Sequence, residues 1–315
     1  MHRIDELKLM LKNNPKKKII LTETDDRVLK AAVNVLEEDL VDLVIIGDKD
    51  KVIEKYSILE KAEWINFQNI DNYAYKLYEL RKDKITLDEA STLLKNNYMY
   101  LACLLLLEKR ADGIVSGATH TTADTLRPAL QIIKGKEELV SSFFLMETSD
   151  KDYIFADCGL IQEPSAQELA IIAQQSIKSY EQLIGDNPKL AFLSFSTYGS
   201  STHKSVDKVI EATKLAKENN PNYLIDGELQ LDSAIIPAIA SIKCPNSPLK
   251  GEANILIFPD LNSGNIGYKL VERFGHAKAY GPLMQGLNYP VNDLSRGSSI
   301  EDIIGVIIIT ALQAS

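Results

Sequence analysis

Short apolar runs and longer mixed segments take turns along most of this 315-residue chain. Residues 16–26 (KKKIILTETDD), 41–48 (VDLVIIGD) and 111–120 (ADGIVSGATH) each hold a compact apolar run closed by small, polar or acidic residues, which predicts three buried strands. Between them, 26–38 (DRVLKAAVNVLEE) and 87–110 (LDEASTLLKNNYMYLACLLLLEKR) carry apolar residues at helical spacing and predict helices. Around 139–157 the pattern changes. VSSFFLMET and YIFADC flank the polar SDKD, which predicts a β-hairpin and the entrance to a second domain. The alternation then resumes with a helix over 166–184, a strand over 189–197, a helix over 205–220, a strand over 253–260, a loop LNSGN over 261–265 and a helix over 266–274. Strands that alternate with helices in this way predict an α/β fold.

The length exceeds the usual range of one domain, so the chain can bury one large core or two ordinary ones. With 45% hydrophobic and 25% charged residues it has the balance of a soluble globular protein. The longest apolar run lies near the C-terminus and is too short to span a bilayer, so no membrane partner is expected. The opening MHRIDELKLM is charged and lacks the apolar stretch of a signal peptide. Cys103, Cys158 and Cys244 form an odd, widely spaced set that predicts reduced thiols in a cytoplasm. A net charge of −9 argues against nucleic acid as a partner. An anionic ligand must therefore find a local positive site, and only Arg3, Arg27, Arg81, Arg110, Arg127, Arg273 and Arg296 can supply a guanidinium.

The stretch PVNDLSRGSSIEDII (290–304) has the features of such a site. Ser298 and Glu301 stand at capping-box spacing, which predicts a helix beginning near Ser299 and running through IEDIIGVIIITALQ. SRGSS then lies at a helix N-terminus, where free amides and the dipole favour an anion. Arg296 adds a guanidinium suited to phosphate, Gly297 lets backbone approach a ligand, and Asp302 falls in the first helical turn. Taken singly, Asp302 also fits a dipole partner, Arg296 a surface ion pair and Ser295 a turn residue. Two more loops follow predicted strands. GATHTTADTLRPA (117–129) contains Thr125 and leads into a segment with Arg127; FPDLNSGNIGYK (258–269) contains Asn265. Both would place a ligand beyond the carboxyl end of a strand. No GxGxxG follows the first strand, and neither a P-loop nor a CxxC is present, so the common nucleotide and zinc signatures are missing and no metal is expected.

GATHTTADTLRPALQII, DGELQLDSAI, ANILIFPDLNSGNIGYKLVERF, GPLMQGLNYPVNDLSRG and the terminal IEDII together resemble the phosphate acetyltransferase family, with the densest agreement over 223–304. The resemblance implies two three-layer α/β domains with a cleft between them, akin to isocitrate and isopropylmalate dehydrogenases. It also implies a first domain made of 1–143 plus 297–315, a second of 144–296, and a homodimer. The activity implied is acetyl transfer between acetyl phosphate and coenzyme A, with coenzyme A as a substrate and no tightly bound cofactor. Ser295, Arg296 and Asp302 match the family's chemical residues, and Arg81 and Arg127 match those that bind coenzyme A or phosphate; Thr125, Gly297 and Asn265 join them as candidate ligand contacts. The chain reads DCGLIQEP where the family pattern has DCAVNP, and Ser298 stands in place of a cysteine.

The chemistry is consistent with these residue types. A thiol must lose its proton, attack a carbonyl and expel phosphate, which leaves well enough that no covalent enzyme intermediate is needed. Asp302 is the candidate base, Arg296 the partner of phosphate and oxyanion, and Ser295 a donor to the same charge. Cys158, with no histidine near it in sequence, is expected to be a structural thiol and not a nucleophile. A phosphate butyryltransferase would share this chemistry; an NAD-dependent decarboxylating dehydrogenase of related fold would need a nicotinamide site and metal-binding acids.

Overall fold

A computed structural model of the protein describes residues 3–66, 70–133 and 139–315. Its strands are β1 (Lys18–Leu21), β2 (Asp42–Ile46), β3 (Glu63–Ile65), β4 (Gly113–Ser116), β5 (Ser141–Glu147), β6 (Asp152–Ala156), β7 (Lys189–Leu193), β8 (Leu224–Leu229), β9 (Ile255–Ile257), β10 (Lys278–Gln285) and β11 (Val291–Asp293). The chain forms two compact units, Met1–Glu138 with Leu287–Ser315, and Leu139–Gly286. The expected boundaries at 143/144 and 296/297 shift accordingly, because β5 pairs only with β6 and β10 while β11 pairs with β4. That shift moves Ser295 and Arg296 into the first unit.

The first unit holds a parallel sheet of order β11-β4-β1-β2-β3. Successive side chains along a strand point to opposite faces, and here both faces are buried. Ile20, Val44, Ile46, Ile114 and Val291 join a core built on the helix Tyr98–Leu107. On the other face Asn292 donates to Thr310 Oγ1 at 2.8 Å, and a Cβ on Gly113 would collide with Thr310, so the helix Ile300–Gln313 covers that side. The second unit has the mixed sheet β10-β5-β6-β9-β7-β8, in which the predicted hairpin β5–β6 is antiparallel and the strands from β6 to β8 are parallel.

Three local expectations need correction. The segment 87–110 is two helices, Leu87–Asn96 and Tyr98–Leu107, because Asn97 adopts an extended backbone and caps the second helix by accepting from Met99 N at 2.9 Å. LNSGN is helical: Asp260 caps a helix Leu261–Phe274, and Gly264 is needed where a Cβ would lie 2.5 Å from Asp157 O. The capping box before the last helix is Ser299 with Asp302, one residue beyond the predicted pair.

Candidate active site

The last three residues of β11 lead directly into the loop of interest. Ser295, Arg296 and Gly297 are exposed, and the loop is a tight turn in which Ser298 N donates to Ser295 O at 2.9 Å and Gly297 N to Ser295 Oγ at 3.2 Å. Ser299 then starts the helix: its Oγ accepts from Asp302 N at 3.1 Å, and Asp302 Oδ2 accepts from Ser299 N at 2.8 Å. One oxygen of Asp302 is thus committed to the cap, and no hydrogen bond to its Oδ1 is present among the described residues. The Arg296 guanidinium likewise has no ion pair or hydrogen bond among the described residues. An exposed cation beside a helix N-terminus is an arrangement that can hold an anion.

What holds this loop in place was not among the predicted site residues. Arg27, at the start of the helix Asp26–Glu37, donates through Nη1 to Arg296 O (2.9 Å) and Ser298 O (3.0 Å), and through Nη2 to Ala118 O (3.1 Å). Asp25 Oδ1 fixes the other edge of the guanidinium at 2.9 Å from Nε. A single planar fork therefore ties the SRGSS loop to the GATH loop. The GATH loop has a second anchor in Glu23, only 6% exposed. Glu23 accepts from Ala118 N (2.8 Å), Thr119 N (2.9 Å) and Thr119 Oγ1 (2.7 Å), and pairs with His120 Nδ1 at 2.6 Å. Burial pushes the Glu23 carboxyl upward, but the hydrogen bonds from Thr119, His120 and the loop amides outweigh it, so its pKa lies below the usual value.

Beneath the two loops lies Asp293, 1% exposed. Gly117 has a φ of +103°, and a Cβ there would sit 2.1 Å from Asp293 Oδ1, so only glycine fits. Burial drives the Asp293 pKa from 3.8 up to about 6, against the pull of Thr122 and Thr125 nearby and with the push of Glu23. Asp293 Oδ1 and Thr125 Oγ1 are both buried without a well-formed hydrogen bond. Thr125, a candidate ligand contact, is 0% exposed: the helix Thr122–Ile132 turns Thr125 inward and leaves Arg127 outward.

The structure does bring Arg81 and Arg127 together. Arg81 ends the helix Asp71–Arg81 and donates to Gln131, which stands one turn beyond Arg127 and also accepts from Tyr100 OH at 2.9 Å. Tyr100 is pushed up by burial and drawn back by both arginines, which places them about one phenol. The Arg127 guanidinium has no ion pair among the described residues. Asn265 belongs to the second unit and is occupied structurally, donating to Cys158 O at 3.1 Å while its Oδ1 accepts from Lys269 at 2.8 Å. Cys158 is 0% exposed, and burial together with Asp157 pushes its thiol well above the usual range, as a structural thiol requires.

Among the described residues no group of three or more His, Cys, Asp or Glu side chains is placed to hold a metal ion, and no helix is long and apolar enough to cross a membrane. The fold and loop together define an α/β protein with an exposed arginine loop and a helix start beyond the carboxyl end of β11. Residues 4–311 match the family described as phosphate acetyl/butaryl transferase. A phosphate acetyltransferase from Thermoanaerobacterium thermosaccharolyticum is 50% identical over 314 residues, 95% of each chain. Solved phosphotransacetylases from Staphylococcus aureus and Streptococcus pyogenes are 44% and 43% identical, with TM-scores of 0.89 and 0.90 over 99% of this chain and 98% of theirs. The chain belongs to the phosphate acetyl/butaryl transferase family and is an acyl-transfer enzyme.

Proposed function

We propose that the enzyme moves an acetyl group between acetyl phosphate and coenzyme A by direct attack of the thiolate on bound acetyl phosphate. The observation that carries this reading is the SRGSS loop: an exposed arginine whose guanidinium has no partner among the described residues, a serine and a helix start bearing Asp302, on one turn clamped by Arg27. Arg296 and the helix amides would take the phosphoryl oxygens, and Arg296 with Ser295 the charge that develops on the carbonyl oxygen. Asp302 would accept the thiol proton. An ordinary Asp and an ordinary thiol differ by roughly 4.6 pKa units, about 6 kcal/mol, which Arg296 can narrow by stabilising the incoming thiolate. Arg81 and Arg127, gathered about Tyr100, would hold the phosphates of coenzyme A.

Coenzyme A enters as a substrate. Action in the cytoplasm and assembly as a homodimer belong to the same reading, and three free, buried cysteines suit a reducing compartment. The test is acylation of coenzyme A followed with acetyl phosphate and butyryl phosphate in parallel. Faster turnover of acetyl phosphate is expected; preference for butyryl phosphate would reassign the acyl group, and no acyl transfer from either would refute the reading.

A further inference from the structure

Buried carboxyls in this protein are served unequally by hydrogen-bond donors. Asp157 accepts from Ser142 N and Oγ and from the amides of Gly159, Leu160 and Ile161. Asp226 accepts from Tyr198 and Lys217, Glu228 from Ser196 and Gly199, and Glu23 from Ala118 and Thr119. Such donors suit a charged carboxylate, which can only accept. Asp293 is buried as deeply, 1% exposed, yet its Oδ1 has no hydrogen bond among the described residues. A buried oxygen left in that state costs far less on a neutral carboxyl than on a charged one.

The position of this carboxyl gives its protonation a consequence. Asp293 ends β11, two residues before Ser295 and three before Arg296. Asn292 faces the helix Ile300–Gln313, so the alternation of the strand turns Asp293 the other way, toward Thr122 and Thr125 of the helix Thr122–Ile132. Thr125 Oγ1 is likewise buried without a partner. Hydroxyls donate or accept, so these two threonines serve a neutral acid as readily as a charged one. No main-chain amide, lysine or arginine donates to Asp293 among the described residues. β4 contributes Ser116 and Gly117, both uncharged; the charge acting on Asp293 from the surrounding elements is that of Glu23, which has the same sign. Burial, and behind it the Glu23 charge, pushes the Asp293 pKa up to about 6.

We infer that Asp293 is a proton-linked positioning residue for the SRGSS loop: it holds a proton while Arg296 binds a phosphoryl group, and ionising it drives that anion off. The cause is repulsion between like charges. A dianion on residues 295–299 and a carboxylate two residues back along the chain stand close together, and burial leaves little water to screen one from the other. Anion binding at the loop and proton binding at Asp293 therefore favour each other, each by the same factor. Affinity for the anion is full while Asp293 is neutral and falls as the pH rises through about 6. This inference rests on acetyl phosphate docking at Arg296.

The test is KM for acetyl phosphate from pH 5 to pH 8 in the wild type and in Asp293→Asn, which keeps the shape and cannot ionise. Ionisation of the substrates is common to both enzymes and cancels in the ratio of their KM values. That ratio, wild type over variant, is expected to lie near one at pH 5 and to climb about five- to fiftyfold by pH 8. A merely structural Asp293 gives a ratio that does not change with pH; that result, or a ratio that falls, would overturn the inference. Sulfate, doubly charged throughout this range, reads the same link without chemistry. The rise it causes in Tm should fade with pH in the wild type, persist in Asp293→Asn and vanish in Arg296→Ala; no rise in the wild type at pH 5 would also overturn the inference. If Asp293→Asn does not fold, calorimetry of the wild type in buffers of different ionisation heat decides the matter. Proton uptake on adding sulfate at pH 7, lost in Arg296→Ala, supports the link, and its absence from the wild type refutes it. A wild type that shows the sulfate link yet transfers no acetyl group would sink the acetyl-transfer reading and leave the link standing.

Discussion

Burial withholds water from Asp293, so its carboxyl loses its proton near pH 6 and not near 3.8. A folded-state pKa raised above the unfolded one means that this group's stabilising contribution is full below about pH 4 and is lost as the pH rises through about 6. The shift of roughly two units corresponds to at most about 3 kcal/mol. Asp293→Asn removes the titration while keeping the shape that fits against Gly117. The variant is therefore expected to gain stability relative to wild type between pH 5 and pH 8. Denaturant melts at both pH values check this: a stability difference that stays constant with pH would show that Asp293 is not the titrating group. At the same scale Arg27 acts through backbone carbonyls, which accept but carry no charge of their own. Arg27→Lys cannot reach three of them from one ammonium, so both it and Arg27→Ala should cost about 1–3 kcal/mol and lower kcat. Full activity in Arg27→Lys would contradict the clamp.

Helix starts decide where the reactive side chains stand. Two serines precede the last helix, and each has an acid three residues on, so Ser298 with Glu301 and Ser299 with Asp302 read equally well in sequence. Packing settles the register: Ser298 is buried and Ser299 exposed, and the box closes on Asp302. Ser299→Ala should cost about 1 kcal/mol of stability, measured by thermal unfolding. A loss confined to stability would separate the cap from the chemistry, whereas a large fall in kcat would mean that the cap also aims Asp302. The strands β1, β2 and β4 and the hairpin were legible because buried strands and amphipathic helices carry different periods, and the helix after SRGSS because a serine and an acid stand at capping-box spacing. The break at Asn97 was hidden under continuous apolar character, and Gly264 made a helical segment look like a loop although its missing Cβ serves close packing on Asp157. Arg296 and Arg127 stand out because arginine is scarce in this chain and both lie in turn-rich text, with Ser295 next to Arg296. Arg27 and Glu23 do not, since their partners lie 91 to 271 residues away and are mostly main-chain atoms.

Across the whole molecule the net charge of −9 opposes an anionic substrate such as coenzyme A. Binding must then depend on local cations, and among the described residues the guanidiniums of Arg127 and Arg296 have no ion pair. Added salt weakens such pairs. KM for coenzyme A is expected to rise with ionic strength, and the rise should be shallower in Arg127→Ala; identical salt dependence in both enzymes would remove Arg127 from phosphate binding. The account as a whole turns on Asp302 as the group that takes the thiol proton, and kcat of Asp302→Asn tests it most directly. Asparagine keeps an oxygen for the Ser299 amide, so the helix start survives while the basic oxygen is lost. The predicted result is a folded enzyme whose kcat falls roughly a hundredfold to ten-thousandfold with little change in KM for acetyl phosphate, and which recovers in part as the pH approaches the thiol pKa of about 8.5. A folded Asp302→Asn enzyme with wild-type kcat at neutral pH would contradict it.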